Sequence, residues 1–131
     1  MKRIGLLNRP LSAAIAGLGH TDMLVVADAG LPVPKGVQRI DLALVPGVPS
    51  IRQTLDAIRQ EMEVERLIIA REVLERTPHI LEMLAELFPG RPVESIPHEE
   101  FKRRTCQAAA VVRTGECTPY ANVILVSGVT F

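Results

Sequence analysis

Apolar positions along this chain change their spacing several times, and each change marks an expected element. Leu11, Ile15 and Leu18 recur at helical spacing, and Gly19 follows where a helix end favours left-handed backbone. Met23 to Ala27 is an apolar run short enough to be a buried strand. Two prolines keep the following Asp28-Ala29-Gly30-Leu31-Pro32-Val33-Pro34 out of helix, so it reads as a rigid loop. Arg39 to Leu44 is a second expected strand, closed by Pro46-Gly47. Ser50 then suits the cap of a helix that carries Ile51, Leu55, Ile58 and Met62 on one face.

The second half repeats the alternation. Arg66 to Ala70 reads as a strand, and Thr77-Pro78 as an N-cap with proline at the first helical position. That helix is expected to turn Leu81, Leu84 and Leu87 or Phe88 inward and to end before Gly90. Val93 to Ile96 is a short strand, His98 to Arg104 a short polar helix, and Ala108 to Arg113 another strand. A loop from Gly115 to Tyr120 leads to a last strand from about Asn122 to Val126. Helices alternating with strands predict an α/β fold: a single three-layer domain, residues 1–131, around a largely parallel central sheet.

Composition narrows the function. Basic and acidic residues balance at 15 each, so no field steers the chain onto phosphate backbones or acidic membranes. With one Tyr, three Phe and no Trp, stacking platforms for bases are nearly absent as well, and nucleic acid is a poor partner. Apolar residues make up 47%, high for a small monomer that must keep a polar surface, which predicts an obligate oligomer. Met1 to Leu7 begins like a signal-peptide n-region, but Asn8-Arg9-Pro10 interrupts it, and no apolar stretch approaches the roughly 20 residues of a membrane helix. The expected location is the cytoplasm, with no membrane partner.

Cys106 and Cys117 have no CxxC or Cys/His cluster around them, so neither a disulfide scaffold nor a metal site is expected. Walker, GxSxG and dinucleotide-binding patterns are missing too. Attention falls instead on polar groups at strand ends. His20, in Gly19-His20-Thr21-Asp22, has the side chain best suited to give and take a proton near neutrality, although a histidine after a helix-ending glycine also serves as a cap. Asp28 follows an apolar strand, where carboxylates of α/β sites sit, and equally suits a turn before Gly30. Tyr120 and Asn122 offer uncharged hydrogen-bonding groups fit for sugar hydroxyls, and Tyr120 also suits a loop anchor. His98 opens a short helix, where a capping or solvated role is the simpler reading, and His79 reads as surface.

Several of these segments are long and specific. Leu18-Gly19-His20-Thr21-Asp22, Asp28 to Pro34, His98-Glu99-Glu100-Phe101-Lys102, Gly115 to Asn122 and the ending Gly128-Val129-Thr130-Phe131 together resemble the ribose pyranase and fucose mutarotase family from end to end. Asp-Ala-Gly-Leu-Pro-x-Pro, His-Glu-x-Phe-Lys and Pro-Tyr-Ala-Asn are similar to its ribose branch. The resemblance implies a cofactor-independent isomerase that interconverts β-D-ribopyranose and β-D-ribofuranose and supplies the furanose to ribokinase. It implies His20 as proton donor, and Asp28, His98, Tyr120, Ala121 and Asn122 as contacts to D-ribose. It also implies a homodecamer of two stacked pentamers with sites near subunit contacts. Two other readings use the same residues: a fucose-type mutarotase, and a non-catalytic sugar-binding subunit that needs hydrogen bonds but no titrating histidine.

Overall fold

The alternation of helix and strand holds along the chain. In the computed structural model, which describes residues 1–131, the order is α1 (Arg9–Ala16), β1 (Met23–Ala27), β2 (Gln38–Asp41), α2 (Ile51–Ile58), β3 (Val64–Ala70), α3 (Val73–Arg76), α4 (Pro78–Leu87), β4 (Val93–Ile96), α5 (His98–Arg104), β5 (Ala110–Arg113) and β6 (Val123–Ser127). The strands form one six-stranded sheet in the order β2-β5-β1-β6-β3-β4. β5 pairs in parallel with both β1 and β2, and β3 with β4. β6 runs antiparallel between β1 and β3. The sheet is therefore largely parallel, with one reversed strand at its centre.

Alternate strand residues face opposite sides. Leu24, Val26, Leu67, Ile69, Val112 and Leu125 join a core of 23 buried residues under α1, α2 and α4, where Leu11, Leu55 and Leu84 meet them. Val25, Ala27, Ile68, Val111 and Ile124 face the other way into a cluster of 9, roofed by Phe101 of α5 and Leu31. Burying a side chain of this size contributes about 1.5–3 kcal/mol, so the face under three helices holds the larger share of the apolar burial. The sheet between two helical layers matches the expected three-layer domain.

Several boundaries differ from the periodicity, each for a local reason. α1 stops at Ala16, where the last turn tightens: the Gly17 amide donates to the carbonyls of Ala13 and Ala14 and the Leu18 amide to that of Ile15, and Leu18 packs from outside the helix. β2 ends at Asp41, whose carboxylate accepts the Ala43 amide and turns the chain into a reversal bridged between Val45 and Val48. Met62 is buried beyond the end of α2. β3 begins at Val64 rather than Arg66, with a bulge at Glu65 where its register against β6 shifts. The short helix α3 was not expected, and it takes the place of a capped start for α4: Thr77 makes no side-chain cap bond, and its hydroxyl is buried without a partner. α4 buries Ile80, Met83, Leu84 and Leu87, while Leu81 only packs at the margin. β5 starts at Ala110 because Thr105–Gln107 form a 3-10 turn ahead of it. The expected Ser50 cap is present as a full capping box with Gln53.

One carboxylate ties down the N-terminal strap. Glu61 Oε1 accepts the Leu6 amide at 2.6 Å and the Lys2 ammonium at 3.4 Å, while Lys2 also donates to the Leu6 carbonyl at 2.7 Å. Gly5, at φ +75, passes so close that a β-carbon there would overlap the carboxylate. The Leu6 amide, aided by Lys2, holds the Glu61 carboxyl below its ordinary value of 4.5. A lowered folded-state value means that the strap's stabilisation is present above that ordinary value and is lost as pH falls through the lowered one. In an acid titration followed by NMR, the Leu6 amide proton should shift with a midpoint below 4.5, and Glu61→Gln should abolish the transition.

Candidate functional site

Three loops converge at the carboxyl ends of the parallel strands, where α/β proteins build their sites. Asp28 follows β1, His98 follows β4, and Tyr120 to Asn122 precede the antiparallel β6, which places them at the same end. The Asp28 amide donates to Asn122 Oδ1 at 2.8 Å, and Asn122 Nδ2 donates to Asp28 Oδ2 at 2.9 Å. Asp28 Oδ1 takes the Gly30 amide at 2.9 Å. Asp28 is thus both the turn-former and the carboxylate at the strand end, since one geometry serves both.

The loop that carries Tyr120 is held from below. The buried Thr114 hydroxyl donates to the Ala27 carbonyl at 2.7 Å and accepts the Glu116 amide at 3.1 Å. The Glu116 carboxylate accepts the Ile51 amide at the start of α2 and the Thr118 hydroxyl. Tyr120 then adopts φ 61, a left-handed backbone that costs a non-glycine residue about 1–3 kcal/mol. Its ring meets His98 edge-on at 5.1 Å between centroids, and the Arg76 guanidinium stands 5.8 Å from its centre.

Helix α5 begins at His98, and Pro97 before it makes no side-chain cap bond. Glu72 takes that role, accepting the His98 amide at 3.1 and 3.3 Å. The His98 ring stacks near Phe101, and its Nδ1 is buried with no hydrogen-bond partner. A lone pair there costs less than an unpaired N–H, so the geometry favours the Nε2–H tautomer.

Asp28, His98, Tyr120 and Asn122 line one cavity of about 360 Å³, together with Arg76 and Lys102. This volume lies in the range of small-ligand sites, and its lining is mostly polar. Lys102 is partly engaged by Glu99 at 2.7 Å, which draws the Glu99 carboxyl below its ordinary value. A second recess of about 390 Å³ adjoins it through Asp28, Gly30 and Pro119 and extends to Glu116 and Cys117. Ala121 is fully buried in the larger core and does not line the cavity, unlike the other sugar contacts expected from the sequence. No group of three or more His, Cys, Asp and Glu side chains converges as a metal site would require.

His20 is elsewhere. It precedes β1, whereas Asp28 follows it, and the five residues of β1 alone span roughly 17 Å. The His20 turn is closed by Asp22, whose carboxylate accepts the Gly19 amide at 2.7 Å, and Thr21 takes φ 69 to complete it. There the exposed imidazole places Nε2 2.8 Å from Glu65 Oε2. Glu65, Arg76 and Lys102 were not singled out from sequence. Lys102 was within reach, one helical turn after His98, but no local pattern marks Glu65 or Arg76.

A profile of the RbsD / FucU transport protein family matches residues 1–130. The chain belongs to that family. It is 54% identical over 131 residues to a D-ribose pyranase of Symbiobacterium thermophilum, with both chains covered completely. Its fold matches the structure of Bacillus subtilis RbsD complexed with D-ribose at a TM-score of 0.96 and 50% identity, covering 100% of each chain. A fucose mutarotase from Streptococcus pneumoniae, solved with L-fucose, is more distant at 27% identity and TM-score 0.81, covering 94% of each chain.

The Asp28–Asn122 exchange is the joint between two of the three loops. Asn122→Ala should leave a buried amide and half a carboxylate unpaired and destabilise the fold by about 1–3 kcal/mol, as read from urea unfolding. An unchanged midpoint would show that the pair contributes no net stability.

Proposed function

We propose that this chain is a D-ribose pyranase, an isomerase that interconverts β-D-ribopyranose and β-D-ribofuranose. The observation that carries the reading is the polar cavity formed by Asp28, His98, Tyr120 and Asn122, in a chain aligned over its whole length with relatives of that name. Opening the pyranose needs a proton on the ring oxygen and loss of one from the anomeric hydroxyl. The freed aldehyde is then closed by a different hydroxyl to give the five-membered ring. In this reading His20 donates the first proton, while Asp28 and His98 orient the hydroxyls and one of them receives the second. The Tyr120 hydroxyl and the Asn122 amide complete the contacts, with Ala121 buried between them, and the chemistry draws on no cofactor.

The separation of His20 from the cavity gives this reading a structural requirement. Within one chain the donor and the sugar contacts lie at opposite ends of β1, so a complete site takes His20 from one copy and the cavity from another. Contacts repeated head to tail close into rings when the rotation between copies closes. That supports the homodecamer of two stacked pentamers that the family resemblance implies. No helix is long and apolar enough to cross a membrane. A cytoplasmic enzyme that hands furanose to ribokinase fits these features.

Saturation-transfer NMR of ribose sees the two ring forms separately and tests the activity. The protein should accelerate their exchange without added metal or nucleotide, and His20→Gln should slow it by about 10²- to 10⁴-fold while ribose still binds. Full activity in His20→Gln would remove His20 as the proton donor, and ribose binding without any exchange in the unaltered protein would move the reading to a sugar-binding subunit. A mixing experiment tests the shared site. His20→Gln and Asp28→Asn chains, each inactive alone, should regain exchange when dissociated and reassembled together, whereas a site contained in one chain would leave the mixture inactive.

A further inference from the structure

Glu65 sits at the one irregularity in the pairing of β3 with β6. The register shifts between Val64 and Arg66, and bulges of this kind re-aim a side chain. The facing strand leaves room for it: a β-carbon on Gly128 would lie 3.2 Å from the Glu65 β-carbon. Neighbouring charges are already engaged, Glu63 with Arg91 at 2.6 Å and Arg66 with Glu94 at 2.9 Å. Glu65 is bound to neither, and its carboxylate lies 2.8 Å from His20 Nε2. A bulge, a glycine and a pattern of paired neighbours thus bring one half-buried carboxylate to the histidine.

We infer that Glu65 is the positioning residue of His20, holding the proton-bearing Nε2 so that Nδ1 is the nitrogen that exchanges a proton with the sugar. The inference rests on His20 being the proton donor of the proposed activity. A carboxylate accepts hydrogen bonds and does not donate them, so this contact requires a proton on Nε2. It also fixes the ring plane and stabilises the imidazolium, the part a buried aspartate plays beside other catalytic histidines. No protein group occupies Nδ1. During opening, the proton on Nδ1 passes to the ring oxygen as the C1–O bond breaks and its electron pair stays on that oxygen, while the anomeric hydroxyl gives its proton to Asp28 or His98 and its oxygen becomes the aldehyde carbonyl. On closure the attacking hydroxyl returns its proton to Nδ1 as the new C1–O bond forms, and the carbonyl oxygen takes back the proton held by Asp28 or His98. His20 ends each turnover as it began, and Glu65 keeps Nε2 protonated throughout.

The test combines Glu65→Gln with nitrogen-15 NMR of His20 in the assembled protein. Glu65→Gln should lower kcat for ribose exchange about 10- to 100-fold, leave KM within about twofold and leave the oligomer intact, because the cavity that binds ribose is untouched. In the unaltered protein the neutral His20 ring should carry its proton on Nε2, with a downfield signal that the variant loses. A neutral ring carrying its single proton on Nδ1 would overturn the inference without any variant, so a failure of Glu65→Gln to assemble leaves it testable. Unchanged kcat in Glu65→Gln, with His20→Gln inactive, would overturn Glu65 alone. An active His20→Gln would instead overturn the donor role of His20 on which the inference stands.

Discussion

Strand β6 pairs antiparallel with β1 on one side and β3 on the other, and its two ends therefore reach opposite ends of the sheet. At its start, Asn122 exchanges two hydrogen bonds with Asp28 and sets the spacing between the β1 loop and the Tyr120 turn. At its finish, the Ser127 carbonyl accepts the Thr21 amide at 2.9 Å and the Ser127 amide donates to the Asp22 carbonyl at 2.8 Å, which seats the His20 turn. One step further, Gly128 donates to the Glu63 carbonyl and gives Glu65 its room. A parallel strand in this position would have its preceding loop at the other end of the sheet, and neither arrangement would form. The core pays for this reversal with residues buried on both faces, Val123 to Val126 without exception.

Both candidate regions also hold a non-glycine residue in left-handed backbone, Thr21 beside His20 and Tyr120 beside Asn122. Each such residue costs about 1–3 kcal/mol and persists only where its surroundings over-determine it. For Thr21 the determinants are the Asp22 carboxylate on Gly19 and the two bonds to Ser127. For Tyr120 they are the Asn122 amide on its carbonyl and the ring contact with His98. In each turn the strained residue is adjacent to, or is, a group with hydrogen-bonding chemistry to offer, so the cost coincides with the places where orientation matters.

Much of this was legible because the apolar runs are short and bounded by proline, glycine or a cap. β1 and β4 occupy the residues expected of them, since Met23 to Ala27 and Val93 to Ile96 end at Asp28 and Pro97. Asp28, His98, Tyr120 and Asn122 were marked by strand-end position or by motif, and they do share a cavity. Periodicity failed where a tertiary contact replaced a local rule. Thr77-Pro78 has the sequence of a capped helix start, yet α3 runs directly into it and the hydroxyl goes unbonded. Glu65 lies in a strand with no local signal, because the partner that gives it meaning is 45 residues away in sequence.

Beside the separation of His20 from the cavity stands a second feature, the apolar character of part of the surface. Leu44, Val45 and Val48 stand exposed on the reversal after β2, and Ile4 and Leu7 on the N-terminal strap, although the chain has polar residues to spare. That reversal is wedged against the site loop: Gly115 donates to the Pro49 carbonyl at 2.9 Å and accepts from Gly47 at 2.6 Å, and a β-carbon on it would come within 2.7 Å of the Val45 carbonyl. A surface that covers Leu44 and Val45 would therefore press on the same segment that positions Glu116, Thr118 and Tyr120. In the proposed shared site, association and the shape of the cavity would be coupled through Gly115, so a copy that supplies His20 to a neighbour would arrive at a cavity whose walls its own docking helps to set.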